Sequence, residues 1–200
     1  MPEIVGILLD NSLQSQNQDY LPSRIILQRD SINAVVSQLI QNHPENMVGI
    51  FPIAQRVKNN ILTPTNLKQN LLNFLFRCDL ETNVDHNLAF FQVDQALQLS
   101  EIKSKTLIVF LSSTIEEFGE LLINITNIAI KGIEVKVICY GDAIEFGQIA
   151  SSEIQMQNVK ILVVEPTINF EESVFNLLRD DNQEEDAELL EVLEKSKYEK

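Results

Sequence analysis

Basic residues are scarce in this chain: 15 Lys and Arg stand against 29 Asp and Glu, a formal charge of −14 over 200 residues. That deficit excludes a surface built to neutralise nucleic-acid phosphates or to settle on anionic lipid, because both need a basic patch. Proteins are the expected partners, with no nucleic acid and no membrane. Glycine is thin as well, and its six copies never form G-x-G-x-x-G, a P-loop or a nucleophile elbow. Nucleotide binding and acyl transfer therefore lack sequence support. Long hydrophobic runs are missing too: stretches such as Thr106 to Leu111 fall far short of the roughly 20 residues that span a bilayer. Nor does the N-terminus show the charged head, apolar middle and small-residue cleavage site of a secretory signal. The two cysteines, Cys78 and Cys139, lie in or beside apolar stretches, which predicts buried thiols in a reducing compartment, cytosol or nucleus, rather than a disulfide framework.

What is present is an alternation of short Ile-, Val- and Leu-rich blocks with longer segments of helical period, the pattern of a mostly parallel sheet covered on both faces. The strand blocks are Ile4 to Leu9, Met47 to Ile53, a weaker Val57 to Leu62, Thr106 to Leu111, Val135 to Tyr140 and Lys160 to Val164. Between the first two, apolar residues at 25, 27, 32, 35, 36, 39 and 40 form one stripe of a helix over Arg24 to Gln41. Thr65 or Asn66 is positioned to cap a helix running through Phe76. Thr114 is positioned to cap another, with Glu116 and Glu117 in its first turn and Gly132 as its stop. Right-handed crossovers then predict a three-layer, doubly wound α/β domain whose functional surface lies at the carboxyl ends of the strands.

After Leu178 the composition changes. Residues 180–200 hold nine acids and three bases, so the chain divides into a domain over residues 1–179 and an acidic linker with a short helix over 180–200.

Three groups of residues are candidate sites. Asp10, Asn11 and Ser12 close the first strand, where an acid and a hydroxyl two residues apart can both face a hard cation, the start of the pattern Asp-x-Ser-x-Ser. Position 14 is Gln14, and Ser15 is one residue too far along for that loop. The bland reading, that Asp10 and Ser12 cap the loop by accepting backbone N–H bonds, is the one favoured. The histidines, His43 and His86, are far apart and lack ligand-spaced company, so both are read as surface residues, with no metal and no cofactor expected. In the tail, Leu189, Val192, Leu193 and Ser196 recur at helical spacing behind the acids Glu184, Glu185 and Asp186. The resulting narrow apolar face suits a helix that lies in a partner's groove. Folding back on its own domain and serving as a frayed solubilising tail remain open alternatives.

The segments Leu9 to Ser12, Asp19 to Arg24, Gln28 to Ser31, Asn42 to Ile50 and Leu62 to Thr65 together resemble the opening of the von Willebrand factor A domain in the ubiquitin-receptor family of the 26S proteasome's non-ATPase regulatory subunits. Ile108 to Ser113 and Lys131 to Gly141 are similar to the central strand and the next helix end of that domain. The resemblance implies a non-enzymatic subunit of the proteasome's regulatory particle in cytoplasm and nucleus. Such a subunit contacts neighbouring subunits and receives ubiquitin or polyubiquitin through a ubiquitin-interacting motif at Leu189, Val192 and Ser196. Val192 departs from the alanine of that motif and crowds the contact. The metal-binding members of the wider domain family place a threonine near His86 and an aspartate at Ser112–Ser113. The resemblance thus implies a degenerate metal site at Asp10 to Ser12 serving as a protein-contact loop. A metal-dependent A-type binding module outside the proteasome is the alternative.

Overall fold

In a computed structural model, residues 1–57 and 60–178 are described. The chain runs β1 (Glu3–Leu9), α1 (Arg24–Asn42), β2 (Met47–Pro52), β3 (Leu62–Thr65), α2 (Lys68–Arg77) and α3 (His86–Leu99). It continues through β4 (Ser104–Leu111), α4 (Phe118–Ile130), β5 (Glu134–Tyr140), α5 (Ile144–Glu153) and β6 (Val159–Val164), with a further helical segment over residues 170–178. The strands form one sheet in the order β3-β2-β1-β4-β5-β6, parallel throughout except for β3.

The apolar blocks become strands because both of their faces are covered. From β1, Ile4 and Leu8 enter a core with Phe90 and Val93 of α3 and Leu121 and Ile125 of α4. Val5, Ile7 and Leu9 point the other way, into a core with Ile32 and Val36 of α1, Leu71 of α2 and Phe170 of the last helical segment. Alternate residues thus serve opposite layers, and nothing in the central strands needs to be polar. Each such Ile, Leu or Phe contributes about 1.5–3 kcal/mol by leaving water. The predicted three-layer α/β domain with a mostly parallel sheet is the fold observed, and the stripe read on α1 is the face it buries. Cys78 and Cys139 are free and buried, as expected.

Two local expectations are corrected. The strand expected over Val57 to Leu62 lies instead at Leu62–Thr65, antiparallel to β2, with Val48 opposite Thr65. As the edge of the sheet it tolerates Pro64, which could not sit in a central strand. Thr114 does not cap α4; the helix starts four residues later at Phe118, behind Glu117, with no side-chain cap. Thr114 is occupied elsewhere: its N–H donates to Gln14 Oε1 at 2.6 Å and its Oγ1 accepts from Gln14 Nε2 at 3.2 Å. Leu67, rather than Thr65 or Asn66, occupies the cap position of α2, and Thr65 Oγ1 accepts from the Leu67 N–H one turn early. Gly132 does end α4, at φ +80° with its N–H on the Ala129 carbonyl.

From β1 the chain winds outward through β2 to β3, then returns to β4 beside β1 and winds the other way. The carboxyl ends of β1 and β4 flank this reversal, where loops leaving neighbouring strands diverge and open a crevice.

Candidate functional site at the β1–β4 switch point

Asp10 follows β1 and is fully buried. Its Oδ1 accepts from the Ser12 N–H (3.1 Å) and Ser15 Oγ (3.0 Å). Oδ2 faces the β4 loop and accepts from the N–H and Oγ of Ser112 (2.7 and 3.1 Å) and of Ser113 (2.8 and 2.9 Å). Burial pushes the carboxyl's pKa up, but the hydrogen bonds from Ser12, Ser112 and Ser113 outweigh it and hold the group below its ordinary value. The carboxylate is therefore ionised, and hydrogen-bond donors solvate it in place of water.

The backbone of Asp10 is held as firmly. Gln28, from α1, presents its amide edge so that Oε1 accepts from the Asp10 N–H at 2.8 Å and Nε2 donates to the Asp10 carbonyl at 3.0 Å. One turn earlier on α1, buried Arg24 donates to both oxygens of Asp19 (2.8 and 2.6 Å), to Asp142 (2.7 Å) and to the Ser112 carbonyl (2.6 Å). Burial opposes its charge, but the bonds to Asp19 and Asp142 prevail and raise its pKa further. Gly141 makes room for it: a Cβ there would stand 2.3 Å from Arg24 Cζ. Asn11 staples three loops, donating to the carbonyls of Ala54 and Asp79 (2.8 and 2.9 Å) and accepting from the Ala54 N–H (2.9 Å).

Asp10, Asn11 and Ser12 thus lie together at 0, 1 and 3% exposure. They shape the loop from inside, and the residues it turns outward are Leu13, Gln14 and Thr114. Ser15, expected to lie outside this geometry, is part of it. The tight turn over Leu13–Gln16 brings its hydroxyl back to the Asp10 carboxylate and to Ser112 Oγ at 2.9 Å. Gln14, standing where a third hydroxyl was sought, clips the β1 loop to the β4 loop through Thr114. Arg24 and Gln28 went unread as site residues, although two polar side chains breaking the apolar stripe of α1 were a signal.

Beside the clip lies a groove of about 570 Å³, walled by the β1 loop, residues 81–87 and the start of α4. Its open acids include Asp85, Glu116 and Glu117. His86 is half-buried in this wall rather than a surface residue. Its Nε2 is sealed from solvent and has no hydrogen-bond partner, and burial lowers its pKa against the pull of Asp10 and Asp85, so the ring is neutral. His43 lies in the α1–β2 turn, where Nδ1 accepts from the Glu45 N–H at 3.2 Å.

The residues at the switch point do not fit a hard cation. Such an ion needs several oxygens with free lone pairs turned toward one point. Here the single carboxylate is surrounded by N–H and O–H donors, and the hydroxyls of Ser112 and Ser113 bond inward to it. Among the described residues, no three or more His, Cys, Asp or Glu side chains are grouped to hold a metal. No described helix is long and apolar enough to cross a membrane. The buried thiols are poor nucleophiles, since burial pushes Cys78 up to about 11 and Cys139 up to about 12. The tail residues Glu184, Glu185, Asp186, Leu189, Val192, Leu193 and Ser196 lie outside the described residues.

Comparison with known proteins bears on the family and the fold. The von Willebrand factor type A domain profile matches residues 5–115. The chain is 32% identical over 103 residues to the 26S proteasome non-ATPase regulatory subunit 4 homolog of Oryza sativa subsp. japonica, covering 52% of this chain and 24% of that protein. It is 26% identical over 146 residues to the 26S proteasome non-ATPase regulatory subunit 4 of Dictyostelium discoideum, covering 72% of this chain and 42% of that one. The chain thus spans less than half the length of either relative. Among solved structures, the SpRpn10 VWA domain superimposes with a TM-score of 0.71 at 21% identity, covering 88% of this chain and 95% of that one.

Proposed function

Because the chain belongs to the von Willebrand factor type A domain family, we propose that its switch-point loops serve protein contact, in a non-enzymatic subunit of the 26S proteasome's regulatory particle. The observation that carries the assignment is the similarity to proteins named as 26S proteasome regulatory subunits, at 26–32% identity over half or more of this chain. The sealed Asp10 network supports the mode of action. A loop ordered before encounter loses little entropy on docking, and here the order comes from internal hydrogen bonds where a metal-dependent relative would use an ion. Leu13, at 43% exposure, and Gln14 and Thr114 beside it make the contact.

The reading extends to cytoplasm and nucleus as the location, to residues 1–179 as the docking domain, and to no metal and no cofactor. It also assigns residues 180–200 an acidic linker and a helix that meets ubiquitin or polyubiquitin through Leu189, Val192, Leu193 and Ser196, with Glu184, Glu185 and Asp186 steering toward a basic rim. Affinity purification of the chain from native extract, followed by identification of co-purifying subunits, tests the assignment. Regulatory-particle subunits are expected, fewer of them with Leu13→Glu, and recovery of free chain alone overturns it. Titration of ubiquitin against the full chain tests the tail: Val192→Ala should tighten binding, and no interaction even with tetraubiquitin leaves only the docking role. Calorimetry with Mg²⁺ and Mn²⁺ separates the alternative, a metal-dependent A domain, which requires binding that Asp10→Ala abolishes.

A further inference from the structure

α3 and α4 run side by side over one face of the sheet, and polar bonds between them set their register. Asn87 Nδ2 donates to Glu120 Oε2 at 2.7 Å, Asn124 Nδ2 donates to Asn87 Oδ1 at 2.6 Å, and Lys131 Nζ meets Asp94 Oδ2 at 2.6 Å. Phe91 follows Asn87 by one turn and precedes Asp94 by another, so it lies level with the stretch of α4 between Asn124 and Lys131. It is 61% exposed. Ile123 and Ile130 share one solvent-facing stripe of α4, at 59% and 69% exposure. Both helices already bury an apolar face against the sheet, so these three large side chains form a second, outward apolar patch.

The charges around the patch are divided by end. Where α3 and α4 begin, Asp85, Glu116, Glu117 and Glu120 are exposed, and no lysine or arginine lines the groove beside them. Where the helices end, exposed Lys103 and Lys131 are joined by Lys105, whose Nζ donates to the Leu97 and Ser100 carbonyls that close α3. Only Asp94 and Glu101 oppose these three bases. A two-fold axis lying in the plane of this face and crossing α4 near Asn127 would lay the acidic end of one copy on the basic end of another. The same rotation sets Ile123 against Ile130 of the second copy and Phe91 against its own counterpart.

We propose that the α3–α4 face docks a second copy of this chain, antiparallel, with Phe91, Ile123 and Ile130 at the centre and Glu120 of each copy meeting Lys131 of the other. Lys131 has donors to spare beyond Asp94, and 41% of its side chain is exposed. A patch one helix pair wide falls at the low end of specific interfaces, and the charge of −14 opposes self-association, so the dimer is weak and reversible. The Asp10 network takes no part in it, and it stands whichever assembly the domain joins.

Sedimentation velocity of the full chain at rising concentration tests it. The native chain should pass from monomer to dimer. I123E/I130E, at exposed positions where an unchanged circular-dichroism spectrum reports an intact fold, should raise the dissociation constant about tenfold or more. E120K alone or K131E alone sets like charges together across the axis and should weaken the dimer, whereas E120K/K131E exchanges both partners and should recover it. Monomer at every concentration up to about 1 mM, a dimer unmoved by I123E/I130E, or a double exchange no tighter than the single ones overturns the proposal. So does broadening of the amides of residues 123–130 by a nitroxide at K197C that persists on dilution, which would make the chain's own tail the occupant.

Discussion

Replacing Asp10 by alanine removes the acceptor at the centre of the switch-point network and leaves its donors in place. Three are backbone N–H groups, of Ser12, Ser112 and Ser113, which cannot turn away. A buried donor stripped of its partner costs about 1–3 kcal/mol, so the three together cost roughly 3–9 kcal/mol, the upper end representing no entry of water. The hydroxyls add less, since Ser15 Oγ keeps the Asp10 carbonyl at 2.8 Å. Against a total stability of about 5–15 kcal/mol, the variant should be severely weakened, its midpoint falling by on the order of 10 °C or more. Far-UV circular dichroism during heating and in urea measures the loss. Asp10→Asn should cost less, about 2–3 kcal/mol, because its amide oxygen can still serve the β4 loop while the charge is gone. The pH dependence separates charge from shape. The folded carboxyl ionises at lower pH than the unfolded one, so its stabilisation is complete above the unfolded value of about 3.9. It fades as pH falls through the folded value, so this part of the acid loss should be absent in Asp10→Asn. A loss below about 1 kcal/mol in Asp10→Ala would refute the reading, and so would stabilisation of the native chain by Mg²⁺ that the variant lacks.

Arg24→Lys keeps the charge but not the fork that meets Asp19, Asp142 and the Ser112 carbonyl, and should cost about 2–4 kcal/mol by thermal melting. No loss would mean that the fork is dispensable. Gly141→Ala places a Cβ against the Arg24 guanidinium at a φ of +59° and should destabilise by about 1–3 kcal/mol. Gly119→Ala, with nothing within 4 Å of the new atom, should instead stabilise by about 0.5–1 kcal/mol. Equal effects of the two glycine variants would count against the packing described around Arg24. With their thiols protonated and buried, Cys78 and Cys139 should react with a disulfide reagent at pH 8 only at the rate of unfolding, and rapid labelling of native protein would contradict that.

The sheet was legible in the sequence where strands are buried on both faces, since blocks such as Ile4 to Leu9 and Leu107 to Leu111 carry no polar side chain. β3 was not, because Leu62–Thr65 is a strand only by virtue of β2 beside it and carries no pattern of its own. The site divides along the same line. Asp10 to Ser12 announce themselves as oxygen side chains at a strand end. Their partners do not: Ser112 and Ser113 are over a hundred residues away, and Ser15 reaches Asp10 only once a tight turn has folded. Gln28 and Arg24 were visible as polar breaks in a buried helical stripe, but which oxygen each would meet depended on how α1 crosses the sheet. Thr114 misled because its capping preference gave way to a contact with Gln14, 100 residues away in the chain.

The clip between Gln14 and Thr114, with the Asp10 contacts beneath it, has a mechanical meaning. It fastens the two halves of the sheet at their line of meeting, where a slip of β4 past β1 by one residue would part Gln14 from Thr114 and Asp10 from both serines at once. Such a seam resists shear in an all-or-none way. A load applied to one flank of the domain is carried to the other without the loops rearranging, so the molecule is suited to the work of a strut.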